Sequence, residues 1–265
     1  MRPVDLSAFI ERLAQVSGEA ILPFFRTQLS VVDKGAAQNG DGRFDPVTEA
    51  DRAAETAIRR HIKTAFPTHG VLGEEFADDQ PDAEYLWVID PIDGTRAFIC
   101  GLPVWGTLIG LMRGGDPVMG VMNQPYTGEL FFGDCGQALL KGPRGERTLH
   151  ASRCERLADA HLMTTDPRLF KGVEAAAYAR VESEVRLARY GTDCYAFAML
   201  ASGQVDLVIE AGLKPYDIVA LIPIIEGAGG TITTWDGKSA KDGGRIVAAA
   251  TEALHKAALE KLNAA

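Results

Sequence analysis

The stretch Tyr85–Gly101, YLWVIDPIDGTRAFICG, sets the terms for the rest of the chain. An apolar run from Tyr85 breaks at Asp90-Pro91. A second acid, Asp93, follows three residues later, with Gly94-Thr95 directly behind it. The run predicts a buried strand over Tyr85–Asp90. Pro91 has no N–H to give a continuing ladder and bends the chain, which returns Asp93 to the neighbourhood of Asp90. Two carboxylates so placed repel unless a cation lies between them, and buried unpaired charge is costly. Hard divalent cations take oxygen ligands, Mg2+ in particular through few carboxylates, water and phosphate oxygens. A helix opening at Gly94-Thr95 offers free N–H groups and a positive dipole end to a phosphate oxygen, and glycine lets an anion come close to the backbone. The same residues also suit an Asx turn followed by a helix cap. From this segment alone both readings stand.

Working outward, apolar residues at Leu6, Phe9, Ile10, Leu13 and Val16 predict a helix from Asp5 to about Phe25. Ser30–Pro46 is polar and rich in Gly, Asp and Asn, which predicts a mobile loop. Thr48-Glu-Ala-Asp51 has the form of a capping box and predicts a helix to about Phe66, stopped by Pro67. A short strand over Gly70–Phe76 feeds Gly73-Glu74-Glu75. Strands over Val104–Met112, Asp116–Gln124 and Glu129–Gly133 read as antiparallel hairpins, with a turn at Pro143–Arg147. Beyond it come strands at His161–Thr164, Glu184–Ala188, Val205–Glu210, Thr231–Trp235 and Ile246–Ala250. Helices are expected at Gly172–Arg180, Asp193–Ser202, Tyr216–Gly227 and Glu252–Leu262. Hairpins mixed with helices predict layered α and β elements rather than a repeated βαβ unit. One compact unit over 1–265 is expected, with a metal-site half over 1–141 and a substrate half over 142–265.

The 265 residues are 46% hydrophobic and carry a formal net charge of -9. That balance argues against a nucleic-acid partner, which favours a basic face. It suits a chain that gathers carboxylates. Cys100, Cys135, Cys154 and Cys194 form no C-x-x-C pair, so reduced, mostly buried thiols are expected. The N-terminal residues lack the pattern of a signal peptide, and no apolar run approaches the roughly 20 residues of a membrane span. A cytoplasmic protein with no membrane partner is the expectation.

Acids stand at several element ends: Asp45 to Asp51, Glu74-Glu75, Asp90 with Asp93, and Asp217. Taken in order, these segments resemble the signatures of the inositol monophosphatase-like, magnesium-dependent, lithium-sensitive phosphatases. Asp45-Pro-Val-Thr-Glu-Ala-Asp51 is similar to the family's D-x-V-T-x-x-D. Gly73-Glu74-Glu75 is similar to its G-E-E, and Trp87–Thr95 to its W-x-x-D-P-[IL]-D-G-T. Tyr216-Asp217 with Glu226–Gly230 is similar to its second signature, W-D-x-A-x6-E-A-G-G, with Tyr in place of Trp. The resemblance implies a layered αβαβα sandwich of the sugar-phosphatase type, with mixed and antiparallel sheets, and a homodimer. It implies Mg2+, two or three ions per site, held by Glu74, Asp90, Asp93, Asp217 and the carbonyl of Ile92. It further implies that Asp51 and Thr95, with Glu74, orient an attacking water, and that Asp93, Gly94 and Thr95 receive the phosphate. Glu75 is expected only to support the site. The implied reaction is metal-assisted hydrolysis of a small phosphate monoester without a covalent enzyme intermediate.

The second half bears on the substrate. Tyr190-Gly-Thr-Asp193-Cys-Tyr-Ala and Glu210-Ala-Gly-Leu-Lys-Pro-Tyr-Asp217 put acids where family members meet the alcohol part. Asp193, Glu210 and Asp217 are therefore the expected substrate-binding residues. An acid after Gly-Thr, together with Arg96–Gly101, resembles the histidinol-phosphatase branch, in which the substrate carries an ammonium and an imidazole. The alternative for Asp193 is a cap on the helix it begins. The competing functions are inositol-1-monophosphatase, a broader sugar-phosphate or nucleotide phosphatase, and a non-catalytic metal-binding regulatory protein. Trp105 is expected in the core, Gly227–Gly230 as a helix end with close packing, and His61 and His69 in solvent. Lys34 is an exposed lysine by default, within reach of the site only if its loop closes.

Overall fold

A computed structural model describes residues 5–28, 31–33 and 46–264. Helix α1 (Leu6–Ile21) starts at Asp5, whose side chain accepts from the Ser7 N–H. Strand β1 (Val31–Asp33) pairs antiparallel with β2 (Pro46–Thr48). The expected Ser30–Pro46 loop therefore carries a ribbon strand near its start and meets the partner strand at its end. Asp45 and Lys34 lie outside the described residues. The capping box forms as expected and opens α2 (Glu49–Ala65).

Strands β3 (Gly70–Gly73), β4 (Tyr85–Asp93), β5 (Gly106–Arg113), β6 (Asp116–Gln124), β7 (Glu129–Gly133), β8 (Ala138–Gly142) and β9 (Gly145–Thr148) stand in that order in one seven-stranded sheet. The short helix α3 (Thr95–Ile99) lies between β4 and β5. The turn expected at Pro143–Arg147 is narrower than that span, because Gly145–Thr148 pairs back on β8. The second sheet is mixed. Strand β10 (His161–Thr164) lies parallel to both β11 (Leu187–Tyr190) and β12 (Leu207–Leu213). Strands β13 (Thr231–Thr234) and β14 (Gly244–Ala249) complete it antiparallel. Helix α4 (Val173–Glu182) joins β10 to β11, and α5 (Asp193–Ala201) joins β11 to β12. The helix expected over Tyr216–Gly227 is two helices, α6 (Pro215–Ile218) and α7 (Leu221–Gly227), and α8 (Glu252–Leu262) closes the described chain.

The side chains sort these elements into five layers. Ile10 and Leu13 of α1 and Ile58 and Ile62 of α2 pack on Trp87, Ile89 and Ile109 of the large sheet. On its other face Leu108, Met122 and Phe131 meet Phe197 and Leu200 of α5 and Ile224 and Ile225 of α7. Val208, Ile246 and Ala248 bring the second sheet into the same core. Their strand neighbours Leu207, Ile209, Val247 and Ala249 point the opposite way, onto Tyr178 and Val181 of α4 and Leu254 and Ala258 of α8. The order α, β, α, β, α is the expected sandwich.

Close approach between layers depends on glycine. Gly110, Gly120 and Gly133 are cross-strand partners on β5, β6 and β7. A Cβ at Gly120 would fall 2.0 Å from the Ala220 carbonyl oxygen, and one at Gly133 would fall 2.4 Å from Ile224 Cα. This bare row lets the segment behind α6 lie directly on the sheet, which brings Asp217 to the end of β4. Two expectations about side chains divide. Trp105 is fully buried against Phe25 and Phe98. His69 is not in solvent: its ring stacks on Phe66 and Tyr85 and takes the Trp87 indole N–H at 3.0 Å. His61 is half-buried, with Nδ1 2.9 Å from the Ala57 carbonyl.

Candidate active site

Strand β4 runs past Asp90 to Asp93 rather than ending at Asp90. Asp90 opposes Leu108 and Asp93 opposes Gly106, so three steps on β4 answer two on β5. In a regular strand residues three apart face opposite sides. The extra residue makes a bulge that turns Asp93 back to the face of Asp90. Asp90 is 2% exposed, and its Oδ1 accepts from the Ile92 N–H at 3.0 Å. Thr107 holds the bend from behind, donating to the Pro91 carbonyl at 2.8 Å.

Asp217 joins them from α6, its Oδ2 accepting from the Lys214 N–H at 2.7 Å. Among the described residues, Asp90, Asp93 and Asp217 each place a carboxylate oxygen within 4.8 Å of the others. Burial raises the carboxyl pKa of all three, and repulsion from neighbouring acids adds to it; Asp93 is pushed up to about 7. Glu74 lines the same cleft and is among the acids that raise Asp90. This oxygen-only donor set, with charges that disfavour one another, fits a hard divalent cation and not a thiolate- or imidazole-seeking one. The backbone carbonyl of Ile92 accepts from Thr95 Oγ1 at 3.1 Å.

Asp51 is 1% exposed in the first turn of α2. Its Oδ2 accepts from both the Thr48 N–H at 2.8 Å and the Thr48 hydroxyl at 2.6 Å. Burial nevertheless lifts its carboxyl to about 7, with Glu75 and Glu74 adding to the rise. Gly94 sits at φ +84 before α3, a left-handed position natural to glycine. Space is tight as well, since a Cβ there would meet Asp193 at 3.1 Å and push its side chain back by a few tenths of an ångström.

The opposite wall comes from the second sheet. Asp193 begins α5 at φ +41, strained for a residue with a side chain. The N-cap is Thr192, without a side-chain capping bond, so Asp193 is not the cap considered for it. Its carboxylate lies over Gly94 and bonds to Thr165. Burial raises it to about 6, against the opposing pull of Arg96. Glu210 on β12 is 1% exposed and accepts from the Thr165 N–H at 2.6 Å, while its Oε2 is buried without a partner. Burial lifts Glu210 to about 8. The cleft between floor and wall holds about 440 Å³. A wider surface hollow of about 590 Å³ beside Ser152, Arg156 and Asp206 contains none of the candidate residues.

All the candidate residues with described side chains except Asp51 line this one cleft; Asp51 stands close enough to Glu74 and Asp90 to affect and be affected by their charge. Two residues escaped the sequence reading. Thr165 links Asp193 to Glu210, and its only signal is topological: it follows the carboxyl end of β10, where the chain switches from one side of that strand to the other. Cys194 donates its backbone N–H to Asp93 Oδ2 at 2.6 Å and packs its sulfur against Gly106. Of the four free thiols only Cys194 is fully buried, Cys100 is exposed, and the other two are half-buried.

Comparisons with known proteins give the family and the fold. A sequence model of the inositol monophosphatase family matches residues 3–265. The bifunctional phosphatase IMPL2, chloroplastic, of Arabidopsis thaliana is 44% identical over 94% of this chain and 72% of its own length. A histidinol-phosphatase of Chlorobaculum parvum is 35% identical over 92% of both chains. An inositol-1-monophosphatase of Caulobacter vibrioides is 33% identical over 90% of this chain and 93% of its own. Among solved structures, an inositol monophosphatase from Zymomonas mobilis superposes with a TM-score of 0.85 at 38% identity, covering 97% of each chain. Among the described residues no helix is long and apolar enough to cross a membrane.

Proposed function

The chain belongs to the inositol monophosphatase family, and from that premise we propose that it is a Mg2+-dependent histidinol-phosphatase, cleaving L-histidinol phosphate to L-histidinol and phosphate. The observation that carries the substrate is Asp193. It spends strained backbone to stand over Gly94 instead of capping its helix, with Glu210 beyond it across Thr165. A pKa of about 6 leaves it ionised at neutral pH, ready to pair with an ammonium group. The histidinol-phosphatases among its relatives support the same reading.

Glu74, Asp90, Asp93, Asp217 and the Ile92 carbonyl are the donors that would hold two or three Mg2+ ions. Bound there, Mg2+ supplies Lewis acidity toward phosphoryl oxygens and makes water more acidic. Asp51 and the Thr95 hydroxyl orient the attacking water, and Asp51 accepts its proton. Gly94 and Thr95 donate backbone N–H groups to the phosphate. Asp193 and Glu210 hold the alcohol part, so the ester bond lies over the acid cluster and the reaction is governed by position and electrostatics.

Inositol 1-phosphate is the second reading, favoured by relatives of that name. Phosphate release from histidinol phosphate, inositol 1-phosphate and 3′-phosphoadenylate, each with and without Mg2+, decides between them. Histidinol phosphate is expected to give the highest kcat/KM. A preference for inositol 1-phosphate or 3′-phosphoadenylate, whose alcohol parts carry no ammonium, overturns the substrate, and no turnover on any of the three overturns the enzyme.

A further inference from the structure

The helix that carries Asp51 carries a second buried acid one turn later. Glu55 is fully buried in α2; residues at i and i+4 share a helix face, so it points the same way as Asp51, toward the segment after β3. Its Oε1 accepts from Arg59 Nε at 2.7 Å and its Oε2 from the Glu75 N–H at 2.8 Å. Arg59 reaches past it to the Phe76 carbonyl at 3.1 Å and lies over the Phe76 ring. On the other side of Glu74, its own N–H donates to the Ile89 carbonyl at 3.2 Å and ties it to β4. Glu74 is thus gripped on both flanks, by the sheet before it and by α2 after it.

Gly73 carries the imprint of the same contact. A Cβ there would fall 2.1 Å from Glu55 Oε1 and 2.9 Å from Arg59 Nη2. The glycine of Gly-Glu-Glu therefore makes room for a buried carboxylate, although its φ is ordinary. A carboxylate withdrawn from water is costly unless each oxygen has a donor. Here both have one, and one of those donors is the main chain beside a candidate metal ligand.

We propose that Glu55 is a positioning residue for the cation site: by holding the Glu75 N–H from within α2, it fixes the direction in which Glu74 enters the acid cluster and registers Glu74 against Asp51. The inference rests on the reading of Glu74 as a metal ligand. Groups that orient metal ligands in this way weaken metal affinity about 10- to 100-fold when lost. The test is calorimetric titration of the metal-free protein with MgCl2, alongside melting curves and the Mg2+ concentration for half-maximal turnover.

Glu55→Ala removes the acceptor and is expected to weaken Mg2+ binding about tenfold or more. Glu55→Asp keeps the charge but withdraws the carboxylate by one methylene, and is expected to lose affinity as well. Glu55→Gln keeps an oxygen for the Glu75 N–H and is expected to stay within about threefold of the unsubstituted chain, far inside the loss expected when such a contact is removed. If the alanine variant does not fold, the Asp and Gln pair carries the test. Unchanged Mg2+ affinity in the Ala and Asp variants, with only a lower melting temperature, overturns the proposal by making Glu55 merely structural. Equal losses in Gln and Asp overturn it too, because the acceptor would then not matter. No Mg2+ binding by the unsubstituted chain overturns this inference and the metal reading together.

Discussion

The floor and the wall of the cleft are both made of carboxylates, and they are assembled by opposite means. On the floor, Asp90 and Asp93 are neighbours in sequence, and a single bulge brings them together. Asp90, Asp93 and Asp217 crowd to within 4.8 Å with their pKa values driven up. On the wall, Asp193 and Glu210 come from a helix start and a strand of the other sheet, and Thr165 from a third element donates to both. The floor concentrates like charge, although each of its three acids accepts a backbone N–H. The wall is tied together by Thr165 but keeps one buried oxygen, Glu210 Oε2, without a partner. In the proposed function the first region takes a cation and the second meets the alcohol part of the substrate.

Replacing one floor acid should separate activity from stability most sharply. Asp90→Asn is expected to reduce phosphate release about 10³-fold, yet to raise the melting temperature of the metal-free protein by removing a buried acid whose ionised form burial and its acidic neighbours disfavour. A variant that loses both activity and metal-free stability would break the contrast. The junction between floor and wall is Gly94. Gly94→Ala adds a Cβ at φ +84, against Asp193 at 3.1 Å. Displacing the proposed phosphate seat should cost about 10²-fold in kcat/KM, and a loss below threefold would show that the two regions do not bear on each other there.

On the wall, Asp193→Asn keeps a side chain that tolerates left-handed backbone. It should raise KM for histidinol phosphate about tenfold, the scale of one charge-assisted contact, and leave an uncharged ester nearly unaffected. Equal effects on both esters would remove the charge-reading role. The smallest effect is thermodynamic. The folded chain holds protons on Asp51 and Asp93 up to about pH 7 and on Glu210 up to about pH 8, whereas the unfolded chain releases them near 3.8 and 4.5. Between those limits the folded state binds more protons, so metal-free stability should fall as pH rises from about 4 to about 8. Added Mg2+ binds only the folded form and competes with those protons. Its stabilising shift in melting temperature should therefore grow with pH over that window, by a few degrees. A shift that is flat or declines with pH would show that these carboxyls do not face the cation.

How much was legible can be judged from particular residues. Asp51 and its capping box were readable because a cap is local chemistry between Thr48 and the first helical turn. The convergence of Asp90 and Asp93 was readable because Pro91 forbids a plain continuation; that the strand survives as a bulge was not, since Gly106 and Leu108 of β5 decide it. Splitting Tyr216–Gly227 into two helices escaped the periodicity, because the segment must follow the glycine row of the sheet. His69 was placed in solvent by its position near a helix end, and only the rings of Phe66 and Tyr85 and the indole of Trp87 explain its burial.

The sequence by itself determined the local features of the candidate site: acids at element ends, a glycine ahead of a short helix, and the alternation that makes two sheets. Those features act over a few residues, so short stretches encode them. Only the tertiary structure decided which acids meet. Asp217 reaches Asp90 because a row of glycines lets its segment rest on the sheet, Asp193 reaches Gly94 because α5 starts at the end of a parallel strand, and Glu55 reaches Glu75 because α2 packs beside β3. Each of these depends on distances set by the packing of layers, which no local spacing records.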